Sequence, residues 1–147
     1  MYQIDITHEH PTAQFDEAPL RRAVEFILKE ARLTEATISV AIVDDPQIHE
    51  INRKFLQHDY PTDVISFVLE SDEGRLEGEV IVSADTAATV AARLAWPVEH
   101  ELLLYVVHGV LHLVGYDDLD PDSLREMRTR EREVLAEFGI EVRYEQA

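Results

Sequence analysis

The sequence predicts a single α+β domain: a small mixed sheet of four strands packed by about five helices. Segments with strand periodicity alternate along the chain with segments that have the apolar spacing of helices. One helical segment, Val98–Val114, is apolar nearly all round, which predicts that it is buried at the centre of the domain. The chain of 147 residues has neither an internal repeat nor a long linker, so we expect residues 1–147 to form one domain.

The first half of the chain contains two predicted strands and two predicted helices. Apolar and polar residues alternate in Tyr2–Thr7 and again in Thr37–Val43, as they do in strands with one buried face. Between these strands, Leu20–Ala31 has its apolar residues on one helical face. Asp44 is placed to cap a second helix, whose apolar face consists of Ile48, Ile51 and Phe55.

A hairpin is predicted in the middle of the chain. A polar loop, His58–Asp63, leads into Val64–Leu69, a short apolar run typical of a buried strand. We expect the acidic segment Glu70–Gly78 to form a turn that joins this strand to an antiparallel partner, Glu79–Val82.

Three helices complete the prediction. An alanine-rich helix, Ala84–Ala95, ends at Trp96-Pro97, and the apolar helix Val98–Val114 ends at Gly115. The sequence Asp120-Pro121-Asp122 is typical of a helix start. The core face of this last helix is predicted to comprise Leu124, Met127, Glu131, Val134, Leu135 and Phe138. Acidic residues separate four arginines of the same helix, as on a solvated face: Arg125, Arg128, Arg130 and Arg132.

Composition and charge exclude several classes of protein. The absence of cysteine excludes disulfide scaffolds, thiolate zinc sites and cysteine nucleophiles. With 13 basic and 30 acidic residues the net charge is −17, which disfavours non-specific binding to phosphate backbones and argues against a DNA partner, while leaving room for a local basic groove. The N-terminus lacks the features of a secretory signal, and the apolar stretch Leu102–Tyr116 is too short to span a membrane. We therefore expect a cytoplasmic protein.

Two histidines of the central helix form a candidate metal site. His108 and His112 lie four residues apart, so their side chains project from the same helical face and can hold one ion, for which zinc is the usual choice. Gly115 ends the helix, and Asp118 stands where a third ligand can complete the site. Three protein ligands and one open position are typical of catalytic zinc. The alternative is a pair of core histidines that bind backbone carbonyls; the glycine stop and the acidic residue favour the metal.

The same spacing occurs in metzincin proteases, but one residue argues against that chemistry. These enzymes need a glutamate directly after the first histidine as the general base. This chain has Gly109 there, which cannot accept a proton. We therefore expect no peptide hydrolysis.

The run His108–Asp118 resembles the signature of the YbeY family of bacterial rRNA-maturation endoribonucleases, His-Gly-x-Leu-His-Leu-x-Gly-Tyr-Asp-His, at every position except the last. Other segments are also similar to the family: Ile51-Asn52, Asp59–Phe67, Gly78–Val80, Met127 and Glu131. The resemblance implies a zinc-dependent, single-strand-specific endoribonuclease with one zinc ion per chain. It further implies a role in 16S rRNA 3′-end maturation and ribosome quality control. The implied partners are rRNA of the small ribosomal subunit and ribosome-associated proteins.

Two positions depart from the family pattern. Asp118 replaces the third histidine; a carboxylate can ligate zinc, but its charge should weaken the metal as a Lewis acid and raise the pKa of a bound water. Asp117 is the alternative third ligand. Leu56 stands where many members carry an arginine thought to contact RNA. Arg53 and Lys54 are the nearest substitutes for that contact, although on an acidic helix they also fit solvated surface charges.

The rest of the catalytic machinery is less defined by the sequence. Thr62, Asp63 and Ser66 lie in a segment similar to the family's second signature, so they either face the metal cleft or form a local turn. No residue is assigned as the proton acceptor. Two rival functions remain: an iron enzyme with two histidines and one carboxylate, and a non-catalytic ribosome assembly factor whose metal is structural.

Overall fold

A computed structural model describes residues 1–58 and 62–144 of the chain. Their order is β1 (Tyr2–His8), α1 (Glu17–Glu30), β2 (Glu35–Val43), α2 (Asp45–Leu56), β3 (Val64–Asp72), β4 (Arg75–Ser83), α3 (Ala84–Leu94), α4 (Val98–Leu113) and α5 (Pro121–Ala136). The four strands and five helices found in these two ranges confirm the α+β prediction. The predicted loop His58–Asp63 includes residues 59–61, which lie outside the described residues.

The strands form one mixed sheet in the order β1-β2-β4-β3. The β1–β2 and β2–β4 pairs are parallel, and the β3–β4 hairpin is antiparallel. The hairpin therefore places β3 at one edge of the sheet, with its N-terminal residue Val64 opposite Val82 near the end of β4.

Helices α4 and α2 cover opposite faces of the sheet. Adjacent residues of a strand point to opposite faces. In β3, Val64 and Ser66 approach Gly109 of α4, whereas Ile65 packs with Ile48 of α2 in a separate small cluster. We call these two surfaces the α4 face and the α2 face.

Helix α4 is the buried centre of the domain, as predicted. Its buried residues are Glu101–Val107, Gly109–Leu111 and Leu113. Helices α1, α3 and α5 pack around it, and its other side lies on β3 and β4. In the part of the chain that the structure describes, no helix is both long and apolar enough to cross a membrane.

Two glycines allow this close approach of α4 to the sheet. A Cβ atom on Gly109 would lie 2.5 Å from Val80 Cγ1, and one on Gly78 would lie 2.9 Å from the Leu113 side chain. Both distances are below van der Waals contact. The position of α4, and with it that of the two histidines, thus depends on the absence of a side chain at these points.

The predicted acidic turn is wrong in its extent. Only Glu73 and Gly74 form the turn, and the strands continue through the residues on either side. Gly74 takes a positive φ of 68°, which suits a two-residue hairpin turn. The start of β4 pairs with β2 from Arg75–Glu35 onward, so pairing with neighbouring strands overrides the polar local sequence.

Two predicted core residues are exposed. Leu124 lies in the first turn of α5, where its neighbours are also largely exposed, and 37% of it is accessible. Phe55 is 66% exposed; it lies near the edge strand, where its ring meets Phe67 edge-on at 6.0 Å. On α5 the predicted residues Met127, Glu131, Val134 and Leu135 are buried, and Phe138 is half-buried.

Candidate metal centre

His108 and His112 bring their imidazole rings together on one face of α4. The ring centroids are 4.7 Å apart. Asp118 completes the group: its Oδ2 lies 3.6 Å from His108 Nε2, and its Oδ1 lies 3.5 Å from His112 Nε2. One ligand atom from each residue lies within 4.8 Å of the other two.

These distances fit a zinc ion. Ligand atoms that bind a tetrahedral zinc at about 2.0–2.1 Å lie roughly 3.3 Å from one another. Each histidine lies near that distance from one oxygen of Asp118, His108 from Oδ2 at 3.6 Å and His112 from Oδ1 at 3.5 Å, and one ligand atom from each of the three residues lies within 4.8 Å of the others. Two imidazole nitrogens and one carboxylate oxygen also form a donor set that zinc accepts.

The end of α4 brings Asp118 back to the histidines. Gly115 has a φ of 112°, in the left-handed region that favours glycine, and the chain reverses direction there. The Tyr116 amide donates to the Leu111 carbonyl at 3.0 Å, which closes the helix end. Asp117 accepts the Leu119 amide at 3.2 Å and thus stabilises the turn. The cluster therefore contains Asp118, whereas Asp117 bonds to the local backbone.

The surroundings of His112 favour the neutral imidazole. Burial lowers its pKa, and the nearby His108 lowers it further, while the charge of Asp118 opposes this shift. The net effect is a pKa below the ordinary value of histidine. The neutral ring is the form that binds a metal ion.

A buried carboxylate supports His108 from the side away from the cluster. His108 Nδ1 donates to Glu131 Oε2 at 2.6 Å, and the other oxygen, Oε1, accepts from Arg128 at 2.9 Å and from the Tyr144 hydroxyl at 2.8 Å. Burial raises the pKa of Glu131, but its bonds to His108 and Arg128 lower it more, so the carboxyl is ionised.

Sequence reasoning missed this network. It assigned Glu131 to an apolar core face and Arg128 to a solvated face. The available signal was the acidic residue itself, because a carboxylate at a core position requires buried partners.

The cluster borders a cleft of about 450 Å³. Thr62 and Asp63 line it together with His108 and Asp118, and Asp63 also accepts the Val64 amide at 2.8 Å in a local turn. Three arginines line the cleft as well: Arg93, Arg128 and Arg143.

Other predicted site residues lie elsewhere. Ser66 donates from its hydroxyl to the Gly109 carbonyl at 2.9 Å and thus joins β3 to α4. Arg53 and Lys54 lie on α2, which packs on the other face of the sheet. Arg53 pairs with Glu50 of the same helix at 2.6 Å.

Comparison with known proteins identifies the family. The family model described as Endoribonuclease YbeY matches residues 4–139. The chain belongs to the YbeY family. The resemblance seen in the histidine helix is thereby confirmed over nearly the whole chain.

Relatives of this family support the assignment along the chain. A Rhodopirellula baltica protein named Endoribonuclease YbeY is 49% identical over 108 residues, which are 72% of this chain and 56% of that protein. The chain thus matches little more than half the length of that relative. A Syntrophotalea carbinolica protein of the same name is 39% identical over 148 residues, with 96% of this chain and 99% of that protein covered.

A solved structure has the same fold. The solution structure of a Thermotoga maritima protein is similar with a TM-score of 0.64 and 27% sequence identity. The match covers 95% of this chain and 92% of that one. The mixed sheet and its helices are thus shared over almost the full length of both proteins.

Proposed function

We propose that this chain is a zinc-dependent endoribonuclease specific for single-stranded RNA, and that residues 1–147 form one catalytic domain. Relatives over most of the chain are named Endoribonuclease YbeY. The observation that carries the proposal is the group of His108, His112 and Asp118 at the border of an open cleft. The three residues are proposed to hold one zinc ion per chain.

The ligand residues prepare the site before substrate binds. His108 presents Nε2 because its Nδ1 is bonded to Glu131, and His112 is kept neutral by burial. Asp118 adds a negative oxygen, and together with His108 it lines the cleft. A bound zinc ion would supply a Lewis acid for a water molecule or a phosphate oxygen. Thr62 and Asp63, which directly precede β3, are proposed to face the substrate.

The arginines of the cleft are the proposed contacts for the RNA backbone. In a protein with a net charge of −17, phosphate groups are attracted only where basic residues are concentrated. Arg128 is held at the cleft by Glu131 and by the Tyr144 ring, whose centroid lies 4.4 Å from the guanidinium. Arg143 is held by the carbonyls of Leu94 and Ala95, each at 3.0 Å. Arg53 and Lys54, on the α2 face, are expected to contribute less.

The biological substrate follows from the family resemblance. We propose that the chain acts in the cytoplasm on rRNA of the small ribosomal subunit, in maturation of the 16S 3′ end. Ribosome-associated proteins are the expected protein partners. We do not expect DNA or membranes to be partners of this protein.

A cleavage assay tests this function. The protein freed of metal with a chelator and then given zinc should cut a single-stranded RNA oligonucleotide and leave the same sequence intact as a duplex. The metal-free protein and His112→Ala should both be inactive. Activity restored by iron(II) but not by zinc would favour the iron enzyme. Tight zinc binding without RNA cleavage would favour the assembly factor, and either result would contradict the proposal.

A further inference from the structure

Glu131 is a buried carboxylate with two sets of partners. It has no exposed surface. One oxygen faces His108 at 2.6 Å, and the other is shared by Arg128 and Tyr144 at 2.9 and 2.8 Å. The group joins three parts of the chain: α4, α5 and the segment that follows α5.

The partners of Glu131 fix which way the carboxylate points. Removing a carboxylate from water costs several kcal/mol unless donors surround it, so the three bonds to donors stabilise the buried side chain in this orientation. Arg128 and Tyr144 also stack on each other, with 4.4 Å between the guanidinium carbon and the ring centroid. The Arg128–Tyr144 pair therefore keeps Oε1 occupied and leaves Oε2 for His108.

The bond to Oε2 determines the tautomer of His108. An ionised carboxylate only accepts hydrogen bonds, so the proton of the neutral imidazole must lie on Nδ1. The lone pair is then on Nε2, the nitrogen that faces Asp118 at 3.6 Å. With the proton on Nε2, the Nδ1 lone pair would face the carboxylate at 2.6 Å, which is repulsive.

We propose that Glu131 is a positioning residue that fixes the tautomer and ring orientation of His108 for metal binding, and that Arg128 and Tyr144 hold Glu131 in place. This inference rests on the proposed function, because it assigns a role toward the same metal site. Carboxylates that orient a ligating histidine in this way typically contribute a factor of about 10–100 to metal affinity.

The variant Glu131→Gln tests the proposal. Glutamine has nearly the same shape, but its oxygen is expected to remain with Arg128 and Tyr144, so that its NH₂ group faces His108. Nδ1 must then accept, and the proton moves to Nε2. We expect ¹⁵N NMR of the metal-free protein to show the Nδ1–H tautomer in the wild type and the Nε2–H tautomer in the variant. Zinc affinity, measured by competition with a chromophoric chelator, should fall about 10–100-fold.

Two further variants serve as controls. Glu101→Gln removes a second buried carboxylate, which lies on α4 and accepts from Trp96 Nε1 at 2.8 Å, and should leave zinc affinity and the His108 tautomer unchanged. Tyr144→Phe removes one of the donors to Oε1 and should weaken zinc binding less than Glu131→Gln does. If Glu131→Gln does not fold, the wild-type tautomer and Tyr144→Phe still decide the question.

The outcomes separate this inference from the proposed function. An Nε2–H tautomer at His108 in the metal-free wild type would overturn the positioning role, whatever the protein does to RNA. Equal zinc affinities of wild type and Glu131→Gln would also overturn it. A wild type that binds no zinc would overturn the proposed function, while the tautomer measurement would still test the contact between Glu131 and His108.

Discussion

The polar side chains around His108 and those around Arg53 are held in different ways. On the α4 face, hydrogen bonds join different elements: Ser66 of β3 binds the Gly109 carbonyl of α4, and Glu131 of α5 binds His108. On the α2 face, Arg53 pairs with Glu50, three residues away in the same helix. Both of those side chains are about half exposed, at 54% and 51%.

This difference distinguishes polar groups that packed elements hold in place from polar groups on the solvated surface. A hydrogen bond between two elements that are packed together holds both of its groups in place, because moving either group requires moving a helix or a strand. An exposed pair within one helix is screened by solvent and contributes little to stability or position. The groups around His108 are therefore held in fixed positions, whereas the Arg53–Glu50 pair lies on a solvated surface.

The largest expected effect comes from removing a proposed ligand on the α4 face. His112→Ala leaves two ligands, which seldom hold zinc tightly, so zinc should be absent from the purified protein. RNA cleavage should fall to that of the chelator-treated wild type. Added zinc should raise the melting temperature of the wild type but not that of the variant, because zinc stabilises the folded state only if it binds to it.

His49 of α2 provides the matched control on the other face. His49→Ala removes a partly buried imidazole, as His112→Ala does, but from a helix that does not carry the cluster. Its metal content and cleavage rate should match those of the wild type. Equal loss of zinc in both variants would remove the distinction between the faces.

The next effect concerns Asp118, the proposed carboxylate ligand. Asp118→Ala should weaken zinc binding by about 10–100-fold or more, the scale seen even for residues that only support a ligand. Asp118→His should restore binding and remove one negative charge from the site. A bound water then loses its proton at lower pH, so the pH–rate profile of RNA cleavage should shift to lower pH.

Zinc titration of these variants distinguishes Asp118 from its neighbour. Asp117→Ala removes the side chain that accepts the Leu119 amide, and should change zinc affinity much less than Asp118→Ala does. Wild-type affinity in Asp118→Ala, or an unchanged pH profile in Asp118→His, would show that Asp118 is not a ligand.

Much of this contrast could be predicted from the sequence, because its decisive features are local. His108 and His112 are one helical turn apart, Gly115 ends the helix, and Asp118 follows within a short turn. Helical geometry and a glycine with positive φ are sufficient to bring these residues together. The apolar character of α4 likewise predicted its burial.

Contacts between distant segments were not predictable in the same way. The bond between His108 and Glu131 spans 23 positions. The apolar spacing of α5 predicted which of its faces is buried, but no local rule determines that Glu131 meets His108. The length of the hairpin strands depended on pairing of β4 with β2. Gly109 was interpreted only as the absence of a general base, whereas its larger role in the structure is to let α4 approach Val80.

The variant Gly109→Ala tests this packing role of Gly109 through its effect on stability. The added Cβ would lie 2.5 Å from Val80 Cγ1, 3.0 Å from Ser66 Oγ and 3.1 Å from Val64 Cγ2, so α4 must shift. Overpacking of this kind lowers the free energy of unfolding by about 1–3 kcal/mol. Urea denaturation of the metal-free wild type and variant measures this difference in the free energy of unfolding.

A double variant identifies the cause. Val80→Ala removes the nearest clashing atom, so the combined variant Gly109→Ala with Val80→Ala should be more stable than the sum of the two single effects predicts. Additive losses would show that the approach of α4 to β4 is not the reason for a glycine at this position.

We also expect the wild type to leave casein uncut, since Gly109 supplies no general base.

The smallest expected effect compares two pairs of basic residues. Arg93→Ala with Arg143→Ala removes two charges from the cleft, and Arg53→Ala with Lys54→Ala removes two from the α2 face. The cleft pair should raise KM for single-stranded RNA several-fold and reduce the salt dependence of log Kd by about 0.7 for each phosphate that the protein no longer neutralises. The α2 pair should change stability by at most about 0.5 kcal/mol, because the Arg53–Glu50 pair is exposed.

Both double variants have the same net charge, so a general electrostatic effect would change their KM values equally. A larger increase in KM for the α2 pair would instead place the RNA on the α2 face and reverse the comparison.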